Sequence, residues 1–223
     1  MRFSPVLFVA AICAACTVTP DPSPSFGGRE LRPAKAGINV GSLYFARERA
    51  TNDQNEPVNL ERLCEINLAR YDIQPMEDVR VADIDLTAQL EAAGALSGIK
   101  NYFVEIGLSG SFSDYFEYKA TNVRERSITL SEAEKIFTSR AFDEDCKYWR
   151  SNVSRENWAR YQVLSLKTGD IVFQQRNNAS LGADVSGKIA TVEPALKASL
   201  KRDFKLILSG SGLVFAVSPI VRE

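Results

Sequence analysis

Lys100-Asn-Tyr-Phe103-Val-Glu-Ile106-Gly-Leu108-Ser109-Gly110-Ser111 returns, with one residue slipped, as Lys201-Arg-Asp-Phe204-Lys-Leu-Ile207-Leu208-Ser209-Gly210-Ser211. Upstream, Ala82-Asp83-Ile84 matches Ala183-Asp184-Val185, and Gly41-Ser-Leu43-Tyr-Phe45 echoes Gly169-Asp-Ile171-Val-Phe173. Each copy reads as strand, strand, amphipathic helix, strand, a tight Ser-Gly turn and a strand. The echo has two readings: a duplicated β-α-β unit, or a chance recurrence of Ser-Gly turns and apolar strands. Either way the fold class is α+β, with a mixed or antiparallel sheet and helices packed on one face. The two copies occupy residues 37–122 and 159–223, and residues 123–158 form a largely helical insert between them.

Alternation of apolar and polar residues with β-branched or aromatic content marks strands. It does so at residues 40–47, 80–85, 102–109, 115–122, 159–166, 170–174, 204–208 and 213–219. Helical spacing appears at 60–71, after Asn59, and at 86–99, where Leu90, Ala93 and Leu96 share a face but Gly94 and Gly98 weaken it. A helix begins at Ser131, with Glu134 three residues on as a capping box. The last helix covers 188–201, carrying Ile189, Val192, Leu196 and Leu200 on one side, with Pro194 suited to a first turn.

The amino terminus follows a different logic. Met1-Arg2 gives a positive start, residues 6–12 are an apolar run, and Cys13-Ala14-Ala15-Cys16 follows. Seven apolar residues cannot span a bilayer, which takes about 20. A charged start, a short apolar core and a small-residue exit are the layout of a secretory signal. Cys16 after Ala14-Ala15 resembles the lipobox of bacterial lipoproteins, with Cys13 standing where that family prefers an aliphatic residue. The resemblance implies removal of residues 1–15, diacylation of Cys16 and an acylated mature amino terminus. Each buried methylene of such chains contributes ~0.8 kcal/mol to membrane binding. A cleaved, unlipidated signal is the rival reading. Thr17, in place of the Asp associated with inner-membrane retention in that family, points the resemblance to the outer membrane. Residues 16–36 contain Pro20-Asp-Pro-Ser-Pro-Ser25 and Gly27-Gly28, a composition expected of an extended tether. Residues 37–223 are then one domain.

Of four cysteines, the signal and acylation account for Cys13 and Cys16. Cys64 and Cys146 remain, a disulfide pair in an oxidising compartment. That bridge would close about 83 residues and contribute roughly 4–5 kcal/mol through chain entropy. Two buried thiols are the alternative. The chain has no histidine, which removes Ser-His-Asp and Cys-His chemistry, imidazole zinc sites and histidine pH switching. No catalytic motif is present, no cofactor is expected, and the reading is non-enzymatic. The net charge of −1, with 25% charged and 45% hydrophobic residues, suits an ordinary soluble surface and one sizeable core. It argues against a nucleic-acid partner.

Candidate sites are few. Lys197, Lys201, Arg202 and Lys205 cluster at a helix end, either as a contact for an anionic surface or as cations favourable near a helix C-terminus. Asp143-Glu144-Asp145 is oxygen-rich, without the alternation and Gly turn of a calcium loop; capping the N-terminus of a short helix is its other use. Tyr115-Phe116-Glu117-Tyr118 with Trp149 and Trp158 offers stacking surface for a sugar, or half a core. The order of the 86–99 helix, the 102–122 strands and Gly210-Ser-Gly-Leu-Val-Phe215 resembles the amino-terminal domains of bacterial gasdermins, which implies a membrane pore-former. The expected function is therefore a lipid-anchored binding or structural lipoprotein of the cell envelope, held to the membrane through its N-terminal lipid and meeting a protein or glycan partner. A membrane-active or lipid-binding domain is the alternative. A carboxylate-based hydrolase would need two facing carboxylates about 5–10 Å apart.

Overall fold

The computed structural model describes residues 28–47, 56–87, 103–104, 107–108, 110–147, 149, 158–176, 183–203 and 206–222. Its strands are β1 (Arg29–Lys35), β2 (Leu43–Ala46), β3 (Glu61–Cys64), β4 (Met76–Arg80), β5 (Ile84–Asp85), β6 (Phe116–Ser127), β7 (Ala159–Gln175) and β8 (Ser209–Val221). The α-helices are α1 (Phe112–Tyr115), α2 (Leu130–Thr138), α3 (Arg140–Asp145) and α4 (Ala183–Asp203), and a 3-10 turn covers Leu68–Tyr71. The fold is α+β, and the eight strands of the described residues join one sheet whose strand pairs are antiparallel.

β7 organises the sheet. One of its edges pairs with β8 from Tyr161–Val221 to Val172–Ser209. The other is shared: residues 159–162 pair with β2, and residues 165–175 pair with β6. β1 flanks β8, β3 flanks β2, and β4 and β5 flank β6. A parallel bridge between Leu31 and Val58 brings the approach to β3 back against β1, so β1-β8-β7-β2-β3 curl into a ring. The ladder between β1 and β8 is interrupted between Glu30 and Lys35, where Pro33 supplies no N–H.

Register decides which side chains meet. Val163 faces Pro219 and Ser165 faces Ser218, so Leu164 is an extra residue that resets the alternation along β7. Gln162, Ile171 and Phe173 consequently share a face. The Gln162 Nε2 donates to the Ala133 carbonyl of α2 at 3.4 Å and to the Gly41 carbonyl at 3.0 Å. Ile171 and Phe173 pack with Ile189, Val192, Leu196 and Leu200 of α4. Helices α2 and α4 therefore cover the same side of the sheet. Phe116 stacks on Phe112 and Phe173 at centroid distances of 5.2 and 5.5 Å.

The ring encloses the opposite face. Tyr44, Tyr161, Leu31, Val58 and Val163 are all buried there. So is Arg29, whose exposure is 0%. Its Nε donates to the Glu56 carbonyl at 2.8 Å, an Nη donates to the Tyr161 hydroxyl at 3.1 Å, and the guanidinium lies 5.4 Å from that ring's centroid. A buried charge requires such partners, because a bare one costs several kcal/mol.

Several expectations are corrected. The tether does not extend to residue 36, because Arg29–Lys35 is a strand with Leu31 buried. Residues 60–71 are a strand and a 3-10 turn, since pairing of β3 with β2 and the αL cap at Asp72 override helical spacing. The 115–122 strand runs on to Ser127, so the insert begins after it. The cap of α2 is Thr129 with Glu132, two residues earlier than expected. Pro194 lies inside α4, which starts at Ala183. The strands expected at 159–166 and 170–174 are one, because Gly169 admits the Thr121 carbonyl, 2.9 Å from where a Cβ would stand. The echo is not a structural repeat: Ala82-Asp83-Ile84 leads into β5 whereas Ala183-Asp184-Val185 opens α4. Phe103 and Val104 are helical, residues 206–208 are not strand, and Ser209-Gly210 begin β8 instead of turning. Most of the 86–99 helix lies outside the described residues.

Phe116 joins three aromatic contacts and is fully buried. Phe116→Ala is expected to cost about 3–5 kcal/mol, read as a lower urea midpoint.

Candidate functional site

The best-built polar cluster lies where the 3-10 turn meets α3. Asn67 caps the turn by accepting from the Ala69 N–H at 3.2 Å, and Asp72 in the αL conformation ends it. This presents Arg70 and Tyr71 to α3. Arg70 donates to Asp145 and, at 3.1 Å, to Glu144, while the Tyr71 hydroxyl donates to the other Asp145 oxygen at 2.8 Å. Next to this cluster Cys64 and Cys146 form a disulfide, with Cα atoms 5.6 Å apart. Burial, and then the adjacent Asp145 carboxylate, push the Tyr71 hydroxyl well above the usual tyrosine range. Both Asp145 oxygens are engaged, so the cluster fastens α3 to the 3-10 turn.

Of Asp143-Glu144-Asp145, Asp143 lies in the first turn of α3, as expected of a carboxylate near a helix start, although the cap itself is Ser139; Glu144 and Asp145 end the helix. Carboxylates at a helix C-terminus are unfavourable alone; Arg70 offsets that charge. Among the described residues no group of three or more Cys, Asp or Glu is placed to hold a metal ion.

The basic cluster is only partly assembled. Lys197 pairs with Glu193 at 2.6 Å and sits 5.6 Å from the Phe173 ring centroid. Lys201 and Arg202 are exposed in the last turn of α4. Lys205 and Cys16 lie outside the described residues. The aromatic set offers no open stacking face: Tyr115, Phe116, Tyr118 and Trp149 are buried. Trp158 stacks on Phe45 at 4.5 Å, with the Arg47 guanidinium 5.3 Å from its centroid.

Sequence reading missed the polar groups that depend on long-range placement. Arg222 donates to the Gln162 Oε1 at 2.9 Å and pairs with Glu134 at 2.6 Å, clasping the end of β8 to α2. Arg80 of β4 stands directly across from Arg124 of β6. Both are exposed and take no ion pair or side-chain hydrogen bond among the described residues. Asp170 accepts from Asn122 at 2.7 Å and from the Gly212 N–H at 3.0 Å, and these bonds hold its carboxyl below the usual range. Only Arg124-Glu-Arg126 carried a visible signal, a charge alternation along one strand.

No family model matches the chain. No curated protein matches it either. Among solved structures, it is similar to a bacterial gasdermin from Bradyrhizobium tropiciagri at 12% identity and a TM-score of 0.35, over 87% of this chain and 86% of that one. At that score the likeness carries no inference about activity. Among the described residues no helix is long and apolar enough to cross a membrane.

A tyrosine whose folded-state pKa is raised keeps its proton in the native state after the unfolded chain has lost it. Its stabilisation is full below the unfolded value of about 10 and falls as pH rises above it, by about 1.4 kcal/mol per unit. Tyr118 is raised likewise, chiefly by burial. Tyr71→Phe is expected to make the loss of stability above pH 10 shallower, measured by urea unfolding at pH 9, 10 and 11.

Proposed function

We propose that the chain is an exported, lipid-anchored, non-enzymatic binding domain of the bacterial cell envelope. The supporting observation is the Cys64–Cys146 disulfide, which joins the two cysteines left once the signal and the acylated Cys16 are set aside. Structural disulfides persist in oxidising compartments, and an export signal of lipoprotein type delivers the chain to one. The lipid on Cys16 fixes position, the Pro/Ser-rich segment sets reach, and the folded domain meets a protein or glycan partner. The outer membrane is the destination that Thr17 favours.

A second reading, a membrane-active domain, draws on strand length. β6, β7 and β8 contain 12, 17 and 13 residues, more than the roughly 9–11 that span a bilayer when tilted. Their apolar face at Phe116, Ile171 and Phe173 is sheathed by α4. Because Ile189, Val192, Leu196 and Leu200 are all spent on that face, this activity requires α4 to lift away.

Intact mass of the mature protein from membranes tests the anchor. A start at Cys16 with acyl mass, a gain of about two daltons on reduction, and loss of membrane fractionation in Cys16→Ser are expected. An unmodified amino terminus would remove the anchor from the proposal. Dye release from anionic vesicles by the full chain would favour the second reading over the first.

A further inference from the structure

The β4 margin of the sheet has two chemically distinct sides. Among the described residues β4 pairs only with β6, so its outer N–H and C=O groups face away from the sheet. Val79 lies across from Glu125 and Arg80 across from Arg124. Neighbouring residues of a strand point to opposite faces, which puts Val79 on one side and Arg80, Arg124 and Arg126 on the other. Val79 is 56% exposed and Met76 60%. Like charges directly across a strand pair, with side chains about 4.5–5.5 Å apart at Cβ, destabilise the pairing. Arg80 and Arg124 bear that repulsion without an ion pair among the described residues.

We propose that β4 is a docking edge for an extended acidic segment of a partner protein, which adds as a further strand. Main-chain hydrogen bonds to β4 would supply affinity, and alternate side chains would supply selectivity. A carboxylate across from Arg80 lies on the arginine side and relieves the Arg80–Arg124 repulsion. The guanidinium fork suits a carboxylate bidentately. The next residue of the segment falls on the other side, beside Val79, where an apolar side chain covers exposed surface. The partner's signature is thus a single carboxylate flanked by apolar residues. An anionic lipid surface would engage the arginines but would leave the open edge and the exposed Val79 unused, so the peptide is the better fit.

This inference rests on the binding-domain reading and is independent of the anchor, since it concerns the folded sheet alone. The probe is a fluorescein-labelled eight-residue peptide of Val and Thr with one central Glu, titrated against the full chain by anisotropy. Lys-for-Glu and alternately N-methylated versions serve as controls, and phosphatidylglycerol vesicles are tested in parallel. The Glu peptide is expected to bind, the Lys peptide to bind at least tenfold more weakly, and N-methylation to abolish binding. Arg80→Glu with Arg124→Glu, both at exposed positions, should reverse the peptide preference without changing the melting temperature. Equal binding of both peptides, or a preference unchanged by the double variant, would overturn the proposal. So would vesicle binding lost in the double variant with no peptide bound, which would assign the arginines to lipid. A concentration-dependent dimer that buries β4 would assign the edge to a second copy. Should the variant fail to fold, the N-methylated peptide on the unaltered chain still decides the matter.

Discussion

A strand has two hydrogen-bonding edges, and three long-range partners draw on those of β7. β8 takes one edge along nearly its whole length, while β2 and β6 divide the other at the Leu164 bulge. Everything else follows from that division. The β2 half closes with β3 and β1 into a ring around Tyr161 and Arg29, and the β6 half opens into a sheet carrying α4. The bulge lets the helices of both halves lie on one side, because without an extra residue Gln162 and Phe173 would face opposite ways. Two apolar clusters share one backbone, so neither can lose its order without disturbing pairings that support the other.

Sequence reading captured what is local and lost what is not. The cores of β2, β6, β7 and β8 and the helices α2 and α4 were legible, because their apolar periodicity is the same in the sequence as in the fold. The 60–71 helix was misread because its apolar spacing serves a short strand beside β2 and a 3-10 turn, a choice made by tertiary pairing. The apparent repeat failed for a related reason. Ala-Asp followed by a β-branched residue precedes a strand in one place and a helix in the other, so shared residues did not mean shared environment. Gly169 was ambiguous by nature: a glycine inside a strand marks either a break or a close approach of another backbone, and here it is the latter.

The site was less legible than the fold. Cys64 and Cys146 were paired by elimination, which needs no geometry. Arg70, Tyr71 and Asp145 meet only because the 3-10 turn and α3 are brought together across more than seventy residues. The confrontation of Arg80 with Arg124 likewise exists only in the register. The basic cluster on α4 shows the converse error: helical spacing placed Lys197 among cations, yet its nearest charged partner is Glu193, one turn back on the same helix.

The position of Arg29 bears on how the domain responds to mechanical load. The described fold begins at β1, whose first side chain, Arg29, is among the largest of the fully buried ones in the described residues. Tension applied at that end would act on β1 at its junction with β8, where peeling would begin. To yield there, the protein must draw a guanidinium out past the Tyr161 ring and the Glu56 carbonyl while the Arg29–Val217 and Glu30–Ala216 pairings part. The buried arginine therefore acts as a mechanical latch, and a chain pulled from its amino-terminal side is gripped at the point where the force arrives.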